Sequence, residues 1–475
     1  MPLGLRPLAP PGTGAKRAAP TAARSRLPSP AFRGVSAPPR PAVCAGRNVE
    51  AHAGAAGSSG RSVDVVGLGN LCVDAVLPME ELPPPDVAVR RRLLDTLTAA
   101  PPDPVSWEVG GNCNFMVAAA RLGLRTASVG HIGNDVYGRF MDEVLREEGV
   151  HATTRIAPGP AAAGSGGSIG GGLDSTLICF VLVGPASQHA FCSRYDFGPW
   201  PLLEGIAELP QQAQQVLRSS RAVFTNGFIF DELPLHAVES ACLDAISNGS
   251  AIFFDPGPRC QTMLEGPRRA ALDLLLDLSA VVLMTEDEAR VVTGLSDPEA
   301  AARAVLARPG ARAQWAVVKM GAAGAVLCER AAPQGGHPSG SGNGSGNGSG
   351  HGNGSGNGSG GGVRATRMGS VKVEVVDTVG CGDSFAAAIV MGYINRWPAD
   401  VTLALANAVG GATATGRGAG RNVARAEDVL RLLGEGAAGR SSGGAEAAPA
   451  FARARELLLG QLAAGAGRGA LSAAA

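Results

Sequence analysis

Apolar side chains come in short blocks along most of this chain, and the spacing of those blocks sets the expectation for its fold. The first, Val63-Asp64-Val65-Val66-Gly67-Leu68-Gly69-Asn70, reads as a buried strand running into a glycine turn. An Ala-rich helix follows at 117–122, then a strand at 125–129 and a helix at 136–148. The alternation continues with strands at 222–225, 251–254 and 280–284 and helices at 234–247, 268–278 and 286–293. Strands separated by helical stretches of about ten to fifteen residues predict an α/β body, a mostly parallel sheet covered by helices on both faces. Further strands are expected at 315–319, 325–328 and 371–376.

Two stretches break this rhythm. Between 74 and 107, and again from 176 to 196, the texture changes, and 177–183 with 191–195 reads as a hairpin outside the alternation. These segments predict a small β lid, about 74–109 and 173–197, of the kind that excludes water from a transfer site. Residues 334–362 form a Gly/Ser/Asn repeat whose one apolar side chain is Pro338, too little to order itself, so a flexible insertion is expected there. The Ala/Gly-rich end, 434–475, reads as a weakly ordered tail with one amphipathic stretch at 451–462.

Composition narrows the function classes. A length of 475 residues with 45% hydrophobic content is enough for a real core, and 41 basic against 41 acidic side chains give no general nucleic-acid or membrane surface. No window approaches 18 uninterrupted apolar residues. Nine cysteines, scattered and without a Cys-x-x-Cys pair, argue against a disulfide framework or a zinc site and for a reducing compartment. The first 49 residues carry eight basic side chains, many Ala, Pro and Ser and no acid before Glu50. Residues 1–61 therefore read as a transit peptide, chloroplast first, with mitochondrion or cytoplasm as the alternatives.

The richest chemistry lies in Asp377-Thr378-Val379-Gly380-Cys381-Gly382-Asp383, followed at once by an apolar helix-forming run. Glycines let the backbone approach a phosphate, and the first amides of the following helix are unpaired at the positive end of its dipole. Asp383 at the same helix mouth sets a carboxylate beside an anion hole, the pairing that phosphoryl transfer to a hydroxyl requires.

Four more segments stand in order around it: Gly110-Gly111-Asn112-Cys113-Asn114; the run from Gly130 through Gly133 and Asp135 to Gly138; Asp255-Pro256-Gly257-Pro258-Arg259; and Gly416-Arg417-Gly418-Ala419-Gly420. Together they resemble the ribokinase-like (PfkB) family of carbohydrate and nucleoside kinases over 62–433. The resemblance implies a three-layer sandwich with a mostly parallel central sheet and a small β lid. It implies Asp383 as catalytic base, with Thr378, Gly380, Cys381 and Gly382 at the anion hole, Cys381 through its amide. Asp74, Gly110, Gly111 and Asn114 fall where the family binds sugar hydroxyls, and Thr378, Lys319, Gly321, Gly324, Asn407, Gly418 and Ala419 where it holds ATP.

Glu288 matches a glutamate that organises Mg2+ through water, while Thr285 stands where the family usually has asparagine. A monovalent cation belongs to the same set of expectations. The expected activity is ATP-dependent phosphorylation of a small sugar. A nucleoside kinase and a catalytically weak kinase-fold protein serving an organelle complex are the alternatives, and a homodimer through the lid is left open.

Overall fold

The computed structural model describes residues 61–84, 86–100, 102–156, 175–185, 189–198, 200–331 and 362–473. The 1–61 segment, apart from its last residue, and the 334–362 insertion, apart from Gly362, lie outside the described residues.

The main sheet is built from β1 (Val63–Leu68), β4 (Thr126–Gly130), β5 (Val150–Arg155), β8 (Ser220–Asn226), β9 (Ala251–Asp255), β10 (Val281–Thr285), β11 (Trp315–Lys319), β12 (Ala325–Arg330) and β13 (Val363–Met368). Their order is β13-β12-β11-β10-β9-β8-β1-β4-β5. Pairing is parallel from β5 through β11, and β12 and β13 add an antiparallel edge. The central parallel strands β9 and β10 read as nearly unbroken Val, Ile, Leu and Phe because both faces are covered. On one face the core forms with the helices Asn112–Arg121, Cys381–Ile394 and Ala399–Ala414, and on the other with Gln211–Arg218, Leu235–Ser247, Gly266–Leu278 and Pro298–Leu306.

The lid is a second sheet, in the order β3-β2-β6-β7, of β2 (Leu71–Pro78), β3 (Trp107–Gly111), β6 (Leu177–Val183) and β7 (His189–Ser193). The hairpin expected from the sequence is the antiparallel β6–β7 pair. The helix Val87–Ala99, unforeseen in the sequence, supplies Leu94 to a small core with Ala75, Phe180, Leu182 and Cys192 on one face of this sheet. Cys72 and Asp74, two apart on β2, and Cys179, opposite Asp74 on β6, line the cleft on the other.

Three expectations change. Residues 371–376 are not a strand: Val371 makes one isolated bridge to Ser441, and Val375 and Val376 are exposed. The edge strand is β13, whose Val363, Ala365, Arg364 and Arg367 alternate less cleanly than a half-buried strand should. The Ala-rich helix begins at Asn112, not 117, because Gly111 at φ 60° turns the chain directly from β3 into it. Residues from 434 onward are not a loose tail. The helix Ala426–Ala437 packs on Gly444–Ala473, whose Ala447, Ala450, Phe451, Ala454 and Leu458 are buried. A side chain at Gly436 would meet the Phe451 ring at 2.3 Å, so alanine and glycine there serve close helix contact, not disorder.

Candidate active site

The C-terminal ends of the parallel strands and the cleft-facing side of the lid enclose a cleft of about 760 Å³. Asn226, Asp255, Thr285 and Lys319 end β8, β9, β10 and β11, and all four side chains line it, as expected for an open α/β sheet. Asp74 and Asp383 face the same cleft, which brings the two carboxylates implied by the sequence into one site.

The turn before Asp383 is held from within. Asp377 accepts from the Val379 amide at 3.0 Å and, through its other oxygen, from the Gly418 amide at 2.8 Å. Gly380 takes φ 77°, which a side chain would resist, and caps the helix Cys381–Ile394. Gly382 and Asp383, in the first turn of that helix, have amides with no helical acceptor, so the nest exists in the fold. The Cys381 amide differs from expectation, since it closes the turn onto the Thr378 carbonyl at 3.3 Å. Its thiol is pushed up to about 12 by burial, so this cysteine is no nucleophile.

Asp383 is half-buried at the cleft wall, and desolvation pushes its carboxyl up to about 6. A hydrogen bond from Asn114 works against that rise, the charges of Asp255 and Glu288 add to it, and Lys319 opposes it. Asn114 bridges two elements: its Nδ2 donates to Asp383 Oδ2 at 3.1 Å and its Oδ1 accepts from the Gly420 amide at 2.8 Å.

Asp74 rises to about 7, first through burial and then through the charges of Asp383 and Glu108, with the Cys72 thiol donating to it at 3.4 Å. The diglycine is a steric necessity. A Cβ on Gly110 would lie 2.2 Å from the Asp74 carboxyl, and one on Gly111 would lie 2.3 Å from the Asn70 carbonyl.

Lys319 pairs with Asp255, and a Cβ on Gly382 would stand 3.3 Å from its ammonium, so the lysine charge sits at the mouth of the anion hole. Burial alone would lower the Lys319 pKa, yet Asp255 and Glu288 hold it above its usual value. Thr285 and Glu288 form a capping box, with the Thr285 amide donating to Glu288 Oε2 at 2.7 Å and the Glu288 amide to the threonine hydroxyl at 3.3 Å. Burial and the Asp255 charge raise Glu288.

Other sites named from the sequence serve the frame. Asn407 donates to the Met368 and Gly369 carbonyls at 2.9 and 3.3 Å, and a Cβ on Gly324 would lie 2.0 Å from the Met368 carbonyl. Gly321, Gly418 and Ala419 stand outside the cleft lining, Gly418 supporting Asp377 and Ala419 lying against Gly380.

With this geometry in place, residues 201–425 match the pfkB family carbohydrate kinase pattern. That stretch is a pfkB family carbohydrate kinase match. The chain is similar to the ribokinase of Mus musculus, 24% identical over 298 residues that cover 61% of this chain and 72% of that one. It is also similar to Fructokinase-1 of Oryza sativa subsp. japonica, 26% identical over 388 residues covering 79% and 99%. The solved structure of Arabidopsis thaliana ribokinase complexed with ribose and ATP shares the fold at TM-score 0.52 and 18% identity, covering 78% of this chain and 98% of that one. The ribokinase-like architecture and the kinase class expected from the sequence therefore stand.

Several residues given no role from the sequence line the cleft or frame it. Asn112 donates to the Leu68 and Gly69 carbonyls at 2.8 and 2.6 Å and accepts from Asn226 at 2.8 Å, locking the acceptor loop to β1 and β8. Glu232, buried, accepts from the Asn70 amide, the His131 amide and the Tyr195 hydroxyl at 2.7, 2.9 and 3.0 Å. His189 on the lid reaches Asp377 Oδ1 at 3.3 Å. Only the strand-end position of Asn226 could have signalled such a role, since the lid contacts depend on tertiary closure.

Proposed function

We propose that this protein transfers the γ-phosphoryl group of ATP to a hydroxyl of a small sugar. The observation that carries this reading is one cleft holding Asp74 at its acceptor side and Asp383 at the mouth of the Gly380–Gly382 nest. Asp74 and Asn114 orient the acceptor, and Asp383 takes the proton from its attacking hydroxyl. The Gly382 and Asp383 amides, with the Lys319 charge beside them, stabilise charge on the phosphoryl oxygens.

Magnesium fits the donor set in one respect: burial and the Asp255 charge raise the cost of ionising Glu288, and Glu288 Oε2 is engaged by the Thr285 amide while its other oxygen faces the site. Among the described residues no cluster of three His, Cys, Asp or Glu forms a cage. That arrangement suits an ion bound largely by water and nucleotide phosphates. When bound, Mg2+ supplies charge neutralisation on the phosphates.

A sugar is favoured over a nucleoside because two of the three ring side chains of Phe and Tyr that line the cleft are already committed, Phe191 being the third. Arg259 covers the Phe228 ring at 4.6 Å, and the Tyr195 hydroxyl is spent on Glu232. The basic, acid-free first 49 residues support delivery to the plastid. A coupled ADP-release assay across ribose, fructose, other sugars, inositols and nucleosides tests the reading. Turnover with a sugar supports it, and ATP binding without turnover on any acceptor overturns it.

A further inference from the structure

The outer end of the cleft carries charge of the opposite sign to its transfer end. Arg90, from the lid helix Val87–Ala99, and Arg259, from the turn after β9, both line the cleft and both approach Asp196, at 3.8 Å each. Those separations are too long for hydrogen bonds. Asp196 is itself anchored, accepting from the Ser193 amide at 2.9 Å. Among the described residues the Arg90 guanidinium makes no hydrogen bond and no closer ion pair, and its side chain is 26% exposed.

Arg259 is held in place from behind. Its Nε lies 2.8 Å from Asp231, which Arg268 also contacts at 2.7 Å, and its guanidinium stacks on Phe228. Three arginines against two carboxylates, Asp196 and Asp231, leave one positive charge at this end. The other end holds Asp74, Asp255, Glu288 and Asp383 against Lys319 alone. An acceptor with a negative group is repelled by the second set and drawn to the first, so the field orients it with a hydroxyl toward Asp383.

We propose that Arg90 and Arg259 form an anion subsite that makes this a kinase of acidic sugars, acceptors bearing a carboxylate or a phosphate remote from the hydroxyl that is phosphorylated. This rests on the phosphotransferase reading above. Guanidinium forks match both anions, and Asp196 fills the gap between the two arginines until the substrate arrives.

The test is ADP release by the full chain with matched acceptors: neutral aldoses and ketoses, the aldonic and ketoaldonic acids derived from them, and their monophosphates. The acid or the phosphate is expected to exceed its neutral counterpart by about tenfold or more in kcat/KM, and the better arm names the anion. Arg90→Gln should erase most of that preference through KM, Asp196→Asn should increase it, and Arg453→Gln on the distant C-terminal helix should change nothing.

Neutral sugars turned over as well as their acids, with Arg90→Gln leaving the ratio unmoved, overturn the subsite and leave the kinase reading intact. No turnover with any acceptor overturns the kinase reading instead. The subsite is then decided by calorimetric titration of an aldonic acid and a sugar phosphate into wild type and Arg90→Gln. Binding of either ligand that is lost in the variant supports it, and the absence of binding or equal binding refutes it.

Discussion

Asn114 holds Asp383 Oδ2 at 3.1 Å with one end of its amide and the Gly420 backbone with the other, so the proposed base is oriented from the acceptor loop. Donation from Asn114 lowers the carboxyl pKa against the burial that raises it to about 6. The wild-type kcat/KM should therefore fall as pH drops through about 6, where the base becomes protonated. Asn114→Ala removes the donor, and the acid limb of the pH–rate profile should move upward by about half a unit to one unit. An unmoved limb would show that Asp383 is not the group being titrated.

Asp383→Asn should fold normally and lose about a hundredfold or more of kcat. Circular dichroism and a thermal melt at pH 8 check the fold, and the ADP-release assay checks the loss. Full activity would sink the assignment of Asp383 as base.

Asp74 supplies a stability test that needs no substrate. Its folded-state value, about 7 against an ordinary 3.8, lies above the unfolded one, so the folded state binds the proton more tightly. The stability gained from that tighter binding is complete below pH 3.8 and is lost as pH rises through about 7. Asp74→Asn should raise Tm relative to wild type at pH 8 and do so less at pH 5, while weakening acceptor binding. A difference that did not depend on pH would contradict the burial-raised carboxyl.

Gly380→Ala meets two obstacles, φ at 77° and a Cβ that would lie 3.0 Å from that of Ala419. The expected result is a stability loss of about 1–2 kcal/mol, read by chemical denaturation, with a larger fall in kcat as the nest shifts.

Phe451→Ala tests whether the C-terminal helices belong to the body. The ring is fully buried against Gly436, so its loss should cost about 3–5 kcal/mol and lower a single cooperative transition. A separate, early transition would mean that these helices melt on their own.

The parallel body was legible where a strand is an apolar run, and β8 to β11 fell within a residue or two of where periodicity put them, while β5, Val-His-Ala-Thr-Thr-Arg, has no such run and went unforeseen. The turn around Gly380 was legible because its chemistry is contiguous in sequence. What periodicity missed has specific causes. Val373, Val375 and Val376 have the composition of a strand, yet the backbone there finds no partner strand, while β13, with two arginines and a threonine, pairs fully with β12. Ala and Gly near the C terminus imitate a loose tail until their small size is seen to admit Phe451. Asn112, Glu232 and His189 act across more than a hundred residues of chain or across the closed lid, and no local pattern encodes such partners.

The His189 contact ties the two halves of the cleft together. Asp377 has two oxygens for three partners: Val379 and His189 share one, and Gly418 takes the other. The lid hairpin and the glycine turn therefore meet on a single carboxylate. A ligand that steadies the turn lowers the cost of keeping the lid down, and an acceptor that draws the lid down steadies the turn. Thermodynamic reciprocity makes these one heterotropic coupling seen from its two ends, transmitted through one side chain.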